Sequence, residues 1–170
     1  MAREPPRLRP LQLDDRERLI RLYHRASRES LYKRFFATPP PEPPEFMLDW
    51  LVTVDHTMRE AVAAVQGDEI VGVARFDRDL DDPSRAEFAV LVDDALQRTG
   101  LGRRLMNELI SIARERGVTT LYGLTLPTNR ALLGLVRAVA DDVEASFGDG
   151  VVTVMFDVPP DRPDQPEPAG

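Results

Sequence analysis

Hydrophobic and polar residues alternate along several short segments of the chain, which is the pattern of strands with two unlike faces. The clearest case, residues 85–92, sets one group of side chains against another: Phe88, Val90 and Val92 against Glu87, Ala89 and Leu91. The same alternation predicts strands at residues 7–13, 61–65, 70–76, 118–126 and 151–158, with a shorter candidate at 144–147. Gly67 and Asp68 between two of these predict a hairpin turn.

Apolar residues repeat at helical spacing between the strands. The pattern predicts a helix from Asp14 or Asp15 to about residue 28, and a short helix that buries Phe46, Met47, Trp50 and Leu51. A third helix follows residue 100 and ends before Gly117, with one apolar face formed by Leu101, Leu105, Leu109 and Ile112. A fourth covers residues 129–139, and the prolines of residues 38–44 predict an extended spacer.

The resulting order is β-α-α-β-β-β-α-β-α-β, which favours an α/β fold with a mixed sheet and helices on both faces. Residues 7–158 are expected to form one domain, since a chain of 170 residues is long enough to bury a single core. Residues 159–170 contain five prolines, which predicts a disordered proline-rich tail.

Charge and composition narrow the function classes. The net charge of -7 gives nucleic-acid binding no electrostatic basis. It favours cationic partners, mainly by steering, or serves solubility alone. Cysteine is absent, and His24 and His56 have no partner at the spacing of metal ligands, so no metal site is expected. Neither a signal peptide nor a membrane span is visible, and we expect a soluble, cytoplasmic protein that does not bind membranes.

A glycine-containing turn, residues 97–102, joins the strand at 85–92 to the third helix. Glycines at the start of a helix let backbone N–H groups close on an anion, and the helix dipole adds to the attraction. A dinucleotide fingerprint would need glycine where Leu105 stands. A P-loop would need a lysine in the turn, whereas Lys33 is the only lysine of the chain.

The remaining pattern, Gln-x-x-Gly-x-Gly after a strand, resembles the coenzyme A pyrophosphate loop of GNAT-type N-acetyltransferases. Residues 27–36 (SRESLYKRFF) resemble the Ser-x-x-Ser-x-Tyr-x-Arg-Phe-Phe segment of bacterial protein lysine acetyltransferases, and residues 86–90 (AEFAV) resemble their catalytic strand. The resemblance implies the GNAT acyl-CoA N-acyltransferase fold, with a mixed, mostly antiparallel sheet flanked by helices on both faces. It covers most of residues 8–158.

The resemblance also implies a set of residues that bind acetyl-CoA. Leu91 and Val92 would offer backbone groups to the pantetheine arm where their strand splays from its neighbour. The pyrophosphate and its surroundings would be contacted by Gln97, Arg98, Thr99, Gly100, Leu101, Gly102 and Arg103, with Asn129 matching a family asparagine. Within residues 27–36, Tyr32, Arg34 and Phe36 could either line the acceptor cleft or pack this segment against the sheet. We expect Phe36 to pack against the sheet, and the sequence does not decide between the two roles for Tyr32.

Catalysis would need a base, because an amine must lose a proton before it attacks a thioester. The resemblance assigns this role to Glu87, with a salt-bridged edge glutamate, for instance paired with Arg85, as the alternative. Many family members carry a tyrosine that protonates the leaving thiolate, where this chain has Leu135 and Val136. A Gly-Phe pair after that helix is also absent.

The sequence therefore predicts an acetyl-CoA-dependent N-acetyltransferase without a metal, acting by direct attack. The expected acceptor is a lysine of a protein, with an acyl-CoA synthetase as the best single guess by resemblance. A small-molecule amine or amino-acid acetyltransferase, or a catalytically silent CoA-binding module, is the alternative. The acidic residues 77–82 could attract a cationic acceptor, although a solvated loop is the more common role of such a run.

Overall fold

The computed structural model describes residues 4–161. The helices of this part are α1 (Arg16–Arg25), α2 (Arg28–Phe35), α3 (Glu45–Val52), α4 (Leu101–Glu115) and α5 (Arg130–Val139). The strands are β1 (Arg7–Pro10), β2 (Arg59–Gln66), β3 (Glu69–Arg78), β4 (Arg85–Val92), β5 (Thr120–Thr125), β6 (Glu144–Gly148) and β7 (Val151–Asp157). Short 3-10 turns lie at Leu13–Asp15 and Asp94–Leu96.

The strands form one sheet in the order β1-β2-β3-β4-β5-β7-β6. Neighbouring strands are antiparallel except β4 and β5, which are parallel and are linked through α4. The β4–β5 ladder covers only Arg85–Glu87 opposite Thr120–Tyr122, whereas β4 stays paired with β3 as far as Val92. The two parallel strands therefore separate after Glu87 and leave a wedge-shaped gap in the sheet.

Helices α4 and α5 cover one face of the sheet and form the larger core with it. Apolar residues three and four positions apart form one side of each helix, and this side turns toward the strands. The most deeply buried members from both layers are Phe76, Leu105, Met106, Leu109, Leu121, Val136, Val154 and Phe156. Phe88 belongs to this core and packs against Phe156, with ring centroids 5.9 Å apart.

Helices α1, α2 and α3 cover the opposite face. Leu22 of α1 and Leu48 of α3 pack with Ile70 in a second core cluster. A third, smaller cluster joins α1 to α2 and contains Tyr23, Leu31 and Phe35, with Leu91 of β4 at its edge. The two-sided packing that the element order predicted is confirmed.

The first helix is shorter than its periodicity predicted. It ends at Arg25, because Ala26 takes an extended conformation with a ψ of 140°. Ser27 then starts α2, and its side chain accepts a hydrogen bond from the backbone N–H of Ser30 at 3.1 Å. A serine that caps a helix offers an alternative to continuing the previous one, so the apolar stripe alone extended the helix too far.

For the short helix predicted around residues 46–51, which is α3 in the structure, the predicted buried face was wrong. Phe46 is 76% exposed, and the residues that α3 buries are Leu48 and Val52. Met47, Trp50 and Leu51 are half-buried, as expected for positions beside that stripe. Leu48 and Val52 are four residues apart, and this i, i+4 pair faces α1 and the sheet.

Strand predictions agree with the structure except at the N-terminus. The hairpin at Gly67 and the short strand at residues 144–147 are confirmed as β2–β3 and β6. The strand predicted for residues 7–13 ends at Pro10, since Asp15 folds the chain into a turn. Its carboxylate accepts hydrogen bonds from Arg9 at 2.7 Å and from the Gln12 backbone N–H at 2.9 Å.

Two further expectations concern the chain ends and the membrane. Of the predicted tail, residues 162–170 lie outside the described residues, so the domain limits 7–158 stay a prediction.

Within residues 4–161, every helix is too short or too polar to cross a membrane.

We expect Gly123→Ala to destabilise the fold by ~1–3 kcal/mol, the usual cost of overpacking a core. A Cβ at this position of β5 would lie 2.7 Å from Cζ of Phe88. The matched control is Gly134→Ala in α5, where a Cβ meets no atom within 4 Å. That change should stabilise the protein by ~0.5–1 kcal/mol through helix propensity. Urea unfolding measures both, and equal stabilities would contradict the packing argument.

Candidate active site

The loop between β4 and α4 presents a row of free backbone amides. Arg98 and Gly100 adopt positive φ angles of 62° and 87°, which turn successive N–H groups toward one side. Within residues 4–161, the N–H groups of residues 98–103 donate to no backbone acceptor, and the helix ladder begins with Arg104 donating to the Gly100 carbonyl at 3.1 Å. Such a row at the positive end of a helix dipole suits a phosphate or another anion.

This loop is held in place by the start of α2 and the end of α1. Arg25 Nε donates to Asp93 at 2.9 Å, and Asp93 in turn accepts from the N–H of Ala95 at 3.0 Å. The backbone N–H of Ser27 donates to Asp94 at 3.1 Å. Sequence reasoning missed Arg25 and Asp93, because their pairing joins positions 68 residues apart and leaves no local pattern.

Gln97 has a structural contact that the sequence did not predict. Its side-chain amide donates to Ser30 Oγ and to the Val92 carbonyl, each at 3.2 Å. The two serines of the residue 27–36 segment are thus explained: Ser27 caps α2, and Ser30 contacts the loop. The row of free amides at residues 98–103, the amide cradle, is therefore directly connected to α2 on the other side of the sheet.

The other residues predicted around the cradle occupy different environments. Leu101 is buried in the core, whereas Arg98, Thr99 and Arg103 are exposed, and the Thr99 hydroxyl donates to the Leu96 carbonyl at 2.6 Å. Gly102 lies close to α5, since a Cβ there would be 3.4 Å from Cδ2 of Leu135. Asn129 caps α5 by accepting a hydrogen bond from the Leu132 N–H at 3.2 Å, so a role in ligand binding stays a prediction for its side chain.

Leu91 and Val92 lie on the open side of the wedge. Both belong to the part of β4 that pairs with β3 and has left β5. The splayed strand that the resemblance implied is therefore present, and it begins three residues before Leu91. The structure brings these two residues, the amide cradle and Glu87 to the same gap.

Glu87 stands where the wedge begins. It is the last residue of the β4–β5 ladder, opposite Tyr122, and its partner on β3 is Asp77. Its side chain is exposed and makes neither a hydrogen bond nor a salt bridge within residues 4–161. Partial desolvation in the cleft raises the pKa of Glu87; nearby Arg34 opposes the rise, while Asp77 and Asp79 add to it.

Acidic residues beside Glu87 are occupied by other partners. Asp79 accepts a hydrogen bond from the Tyr122 hydroxyl at 2.6 Å, and burial together with this bond raises the pKa of Tyr122 to about 12. Arg85 pairs with Asp79 at 3.9 Å and forms no salt bridge with Glu87 within the described residues, so the predicted Arg85–Glu87 pair is absent there. The acidic run expected to be a solvated loop thus belongs partly to the site.

Asp77 is held by two arginines. Arg75 Nη2 lies 3.0 Å and Arg59 Nε 3.2 Å from Oδ1 of Asp77. The Arg75 side chain is only 2% exposed, donates to the Leu51 carbonyl at 3.1 Å and stacks on Trp50 with its Cζ 4.0 Å from the ring centroid. This network fixes Asp77, so that of Asp77, Asp79 and Glu87 only Glu87 has no hydrogen bond or salt bridge within residues 4–161.

A small cavity of about 40 Å³ lies between strands β3 and β4 and helices α1 to α3. Its walls are mainly apolar and include Ala89 and Leu91 of β4 and Met47 of α3. Two cationic side chains, Arg34 and Arg75, also line it. Glu87 does not line this cavity, but it stands on the same face of β4, two residues before Ala89.

The remaining candidates from the sequence have structural roles. His24 contacts Glu42 at 2.9 Å, and His56 contacts Glu60 at 2.5 Å. Among the residues that the structure describes, no group of acidic or histidine side chains could hold a metal ion. At the family's tyrosine position, Leu135 packs beside Gly102 and Val136 is fully buried. Their hydrocarbon side chains have no proton to transfer.

Comparison with known proteins agrees with this geometry. The sequence profile described as the acetyltransferase (GNAT) family matches residues 12–139. The chain is similar to an acetyltransferase of Pseudomonas aeruginosa, with 30% identity over 136 residues that cover 78% of this chain and 72% of the relative. It is also similar to the acetyltransferase Pat of Mycolicibacterium smegmatis, with 32% identity over 90% of this chain but only 46% of that protein. The crystal structure of the GNAT domain of S. lividans PAT superposes with a TM-score of 0.83, at 34% identity, covering 89% of this chain and 90% of that one.

The amide cradle predicts a strong effect of charge at Gly102. We expect Gly102→Glu to weaken the binding of coenzyme A at least ~100-fold, equivalent to ~2.7 kcal/mol, because a carboxylate would face the bound phosphates. Calorimetric titration measures the affinity, and thermal unfolding checks that Leu135 accommodates the new side chain.

The control is Gly148→Glu on the edge strand β6, where a Cβ meets no atom within 4 Å. It adds the same charge far from the loop and should leave the affinity unchanged. Full affinity in Gly102→Glu would mean that the loop is an ordinary helix start.

Proposed function

The chain belongs to the acetyltransferase (GNAT) family, and we propose that it transfers the acetyl group of acetyl-CoA to a lysine side chain of a protein, with Glu87 as the general base. The family predicted from the sequence is confirmed, and the protein is an acetyl-CoA-dependent N-acetyltransferase. The observation that carries the proposal is the position of Glu87 at the apex of the wedge, where its carboxylate has no partner among the described residues.

The residues present fit acetyl-CoA as the co-substrate. The free amides of residues 98–103 would hold the pyrophosphate, with the exposed side chains of Arg98 and Arg103 able to add charge-assisted bonds. The open side of β4 at Leu91 and Val92 would pair with the pantetheine arm, as an added strand does. This arrangement would direct the thioester toward the apex at Glu87.

Glu87 would accept the proton that the acceptor amine must lose. A lysine ammonium has a pKa of about 10.4, so little of it is neutral near pH 7. The raised pKa of Glu87 makes this carboxylate a better proton acceptor than an ordinary surface glutamate. As the amine nitrogen bonds to the acetyl carbon, the C–S bond breaks and the proton passes to Glu87, directly or through a water.

The coenzyme A thiolate would leave without a protein acid at the position of Leu135. A thiol has a pKa of about 8.5, which makes its anion an adequate leaving group near neutral pH. The chain contains no cysteine, so a thioester-linked acetyl-enzyme has no nucleophile to form on. Direct transfer within a ternary complex follows.

A protein acceptor is supported by the surface around the cleft. The bordering elements expose large apolar side chains: Tyr32 of α2 is 43% exposed, Phe46 of α3 is 76% exposed and Leu80 after β3 is 88% exposed. Such residues at the rim of a site are common where a protein partner docks. The resemblance of residues 27–36 to protein lysine acetyltransferases points the same way.

We expect Glu87→Gln to lower turnover by a factor of ~10² to 10⁴ while leaving coenzyme A affinity nearly unchanged. The low-pH limb of the wild-type rate profile should reflect the deprotonation of Glu87 and lie above the range of an ordinary glutamate, because its pKa is raised. The variant should lose this limb and recover in part at high pH, where the amine is already neutral.

Glu115→Gln at the exposed end of α4 is the matched control and should keep full activity. Turnover of Glu87→Gln near the wild-type rate at pH 7 would assign the proton transfer to another group.

For the acceptor, we expect purified enzyme with labelled acetyl-CoA to modify an acyl-CoA synthetase at one lysine. The exposed acidic residues Asp81 and Asp82 should steer a cationic surface, so added salt should slow the reaction. Mass spectrometry locates the modified lysine. Efficient acetylation of small amines with no labelled folded protein would instead support the small-molecule alternative.

A further inference from the structure

Arg34 is a half-buried cation close to the proposed base. Its side chain lines the cavity between β3, β4 and helices α1 to α3, and its Cζ lies 4.7 Å from the centroid of the Phe35 ring. Within residues 4–161 it makes no hydrogen bond and no salt bridge. No buried side-chain nitrogen or oxygen in that part of the chain lacks a partner, so the Arg34 nitrogens, which make no hydrogen bond there, are accessible to solvent.

Burial and the nearby Arg75 both disfavour the positive charge of Arg34 in the protein without a ligand. Burial, with the neighbouring charge of Arg75 as a lesser cause, lowers the pKa of Arg34 to about 10, although it stays protonated near pH 7. Arg75 forms a salt bridge with Asp77 and donates to the Leu51 carbonyl, whereas Arg34 has only the electrostatic attraction of Asp77 and Glu87 and forms no salt bridge within the described residues. A half-buried guanidinium without a salt bridge, close to a second guanidinium, is an arrangement that a bound anion would stabilise.

The nearby carboxylates do not serve this purpose. Asp77 is engaged by Arg59 and Arg75, and Asp79 by the Tyr122 hydroxyl. Glu87 attracts Arg34 electrostatically, yet within the described residues the two form no salt bridge. The guanidinium fork of Arg34 is therefore available to a ligand near the proposed base, on the same face of the sheet.

We propose that Arg34 binds a carboxylate of the acceptor, so that the preferred substrate is an amine that carries a carboxylate close to the reacting nitrogen. The inference rests on the proposed function, since it places the amine at Glu87. The carboxylate could belong to a free amino acid or to an acidic residue next to a lysine on a protein. In both cases, an ammonium group and a carboxylate lie close together, in one small molecule or in one short peptide segment.

The charges of the cleft match such an acceptor. Glu87, whose pKa the nearby Asp77 and Asp79 raise further, forms the acidic side of the cleft and attracts the ammonium group before the proton is lost. Its basic side contains Arg34, whose planar fork can bind a carboxylate with two hydrogen bonds. A simple polyamine would leave Arg34 unpaired, and a molecule with only a carboxylate would leave Glu87 unpaired.

Transfer rates with paired acceptors test this inference. One pair is an amino acid and its carboxamide; the other is a lysine peptide with Glu beside the lysine and the same peptide with Gln. Wild-type enzyme should prefer the carboxylate member of at least one pair by roughly 10- to 100-fold in kcat/KM, the range of a charge-assisted pair. The pair that shows the preference identifies the source of the carboxylate.

Variants of Arg34 test whether this side chain causes the preference for carboxylate acceptors. Arg34→Gln should abolish it by slowing only the carboxylate acceptors, while Arg34→Lys should keep part of it by retaining the charge. Arg28→Gln is the matched control, since Arg28 is exposed on the same helix and does not line the cavity. Equal acetylation of both members of each pair by the wild type would overturn the inference, and so would an equal loss on all acceptors in Arg34→Gln.

A binding measurement keeps the test independent of turnover. Calorimetry with the coenzyme A complex compares each N-acetylated product with its carboxamide, for the amino acid and for the peptide. The carboxylate form should bind the wild type at least ~10-fold more tightly, and Arg34→Gln should remove the difference. No transfer to any acceptor would reject the proposed function alone, whereas equal binding of both forms to the wild type would reject the role of Arg34.

Discussion

The divergence of β4 from β5 after Glu87 is the constraint on which the rest of the site depends. Each strand is held on its outer side, β4 by β3 up to Val92 and β5 by β7 along its whole length. Only the space between them is left open, so the gap does not weaken the rest of the sheet. Because the backbone groups that face the gap lack strand partners, an extended ligand can pair with them as an added strand would.

Packing on the core side explains why the strands separate where they do. Phe88 follows Glu87 on β4, and its ring occupies the space above Gly123, the residue after Tyr122 on β5. The missing side chain at Gly123 lets this ring fit against Phe156. A large aromatic residue on one strand and a glycine on the other thus mark the end of the ladder, and Glu87 is placed at the apex on the opposite face.

Local patterns in the sequence predicted most of the fold and the components of the site. Alternation identified β4 and its two faces, and the glycine spacing identified the amide cradle, because both signals lie within a few residues. The boundary at Ala26 and the exposure of Phe46 were missed, since they depend on a cap and on packing against other elements. The pairing of Arg25 with Asp93 and the isolation of Arg34 have no sequence signal at all, because they depend on which distant side chains meet.

The network around Asp77 decides which charges of the cleft stay available. Arg59 and Arg75 both bind Asp77, and Tyr122 binds Asp79, so these carboxylates neutralise buried charge or fix neighbouring side chains. Glu87 and Arg34 share the cleft without a salt bridge between them in the described chain. A direct pair would lower the pKa of Glu87 and weaken it as a base, and it would also block the guanidinium. Keeping these two opposite charges apart leaves one of them for an amine and the other for an anion.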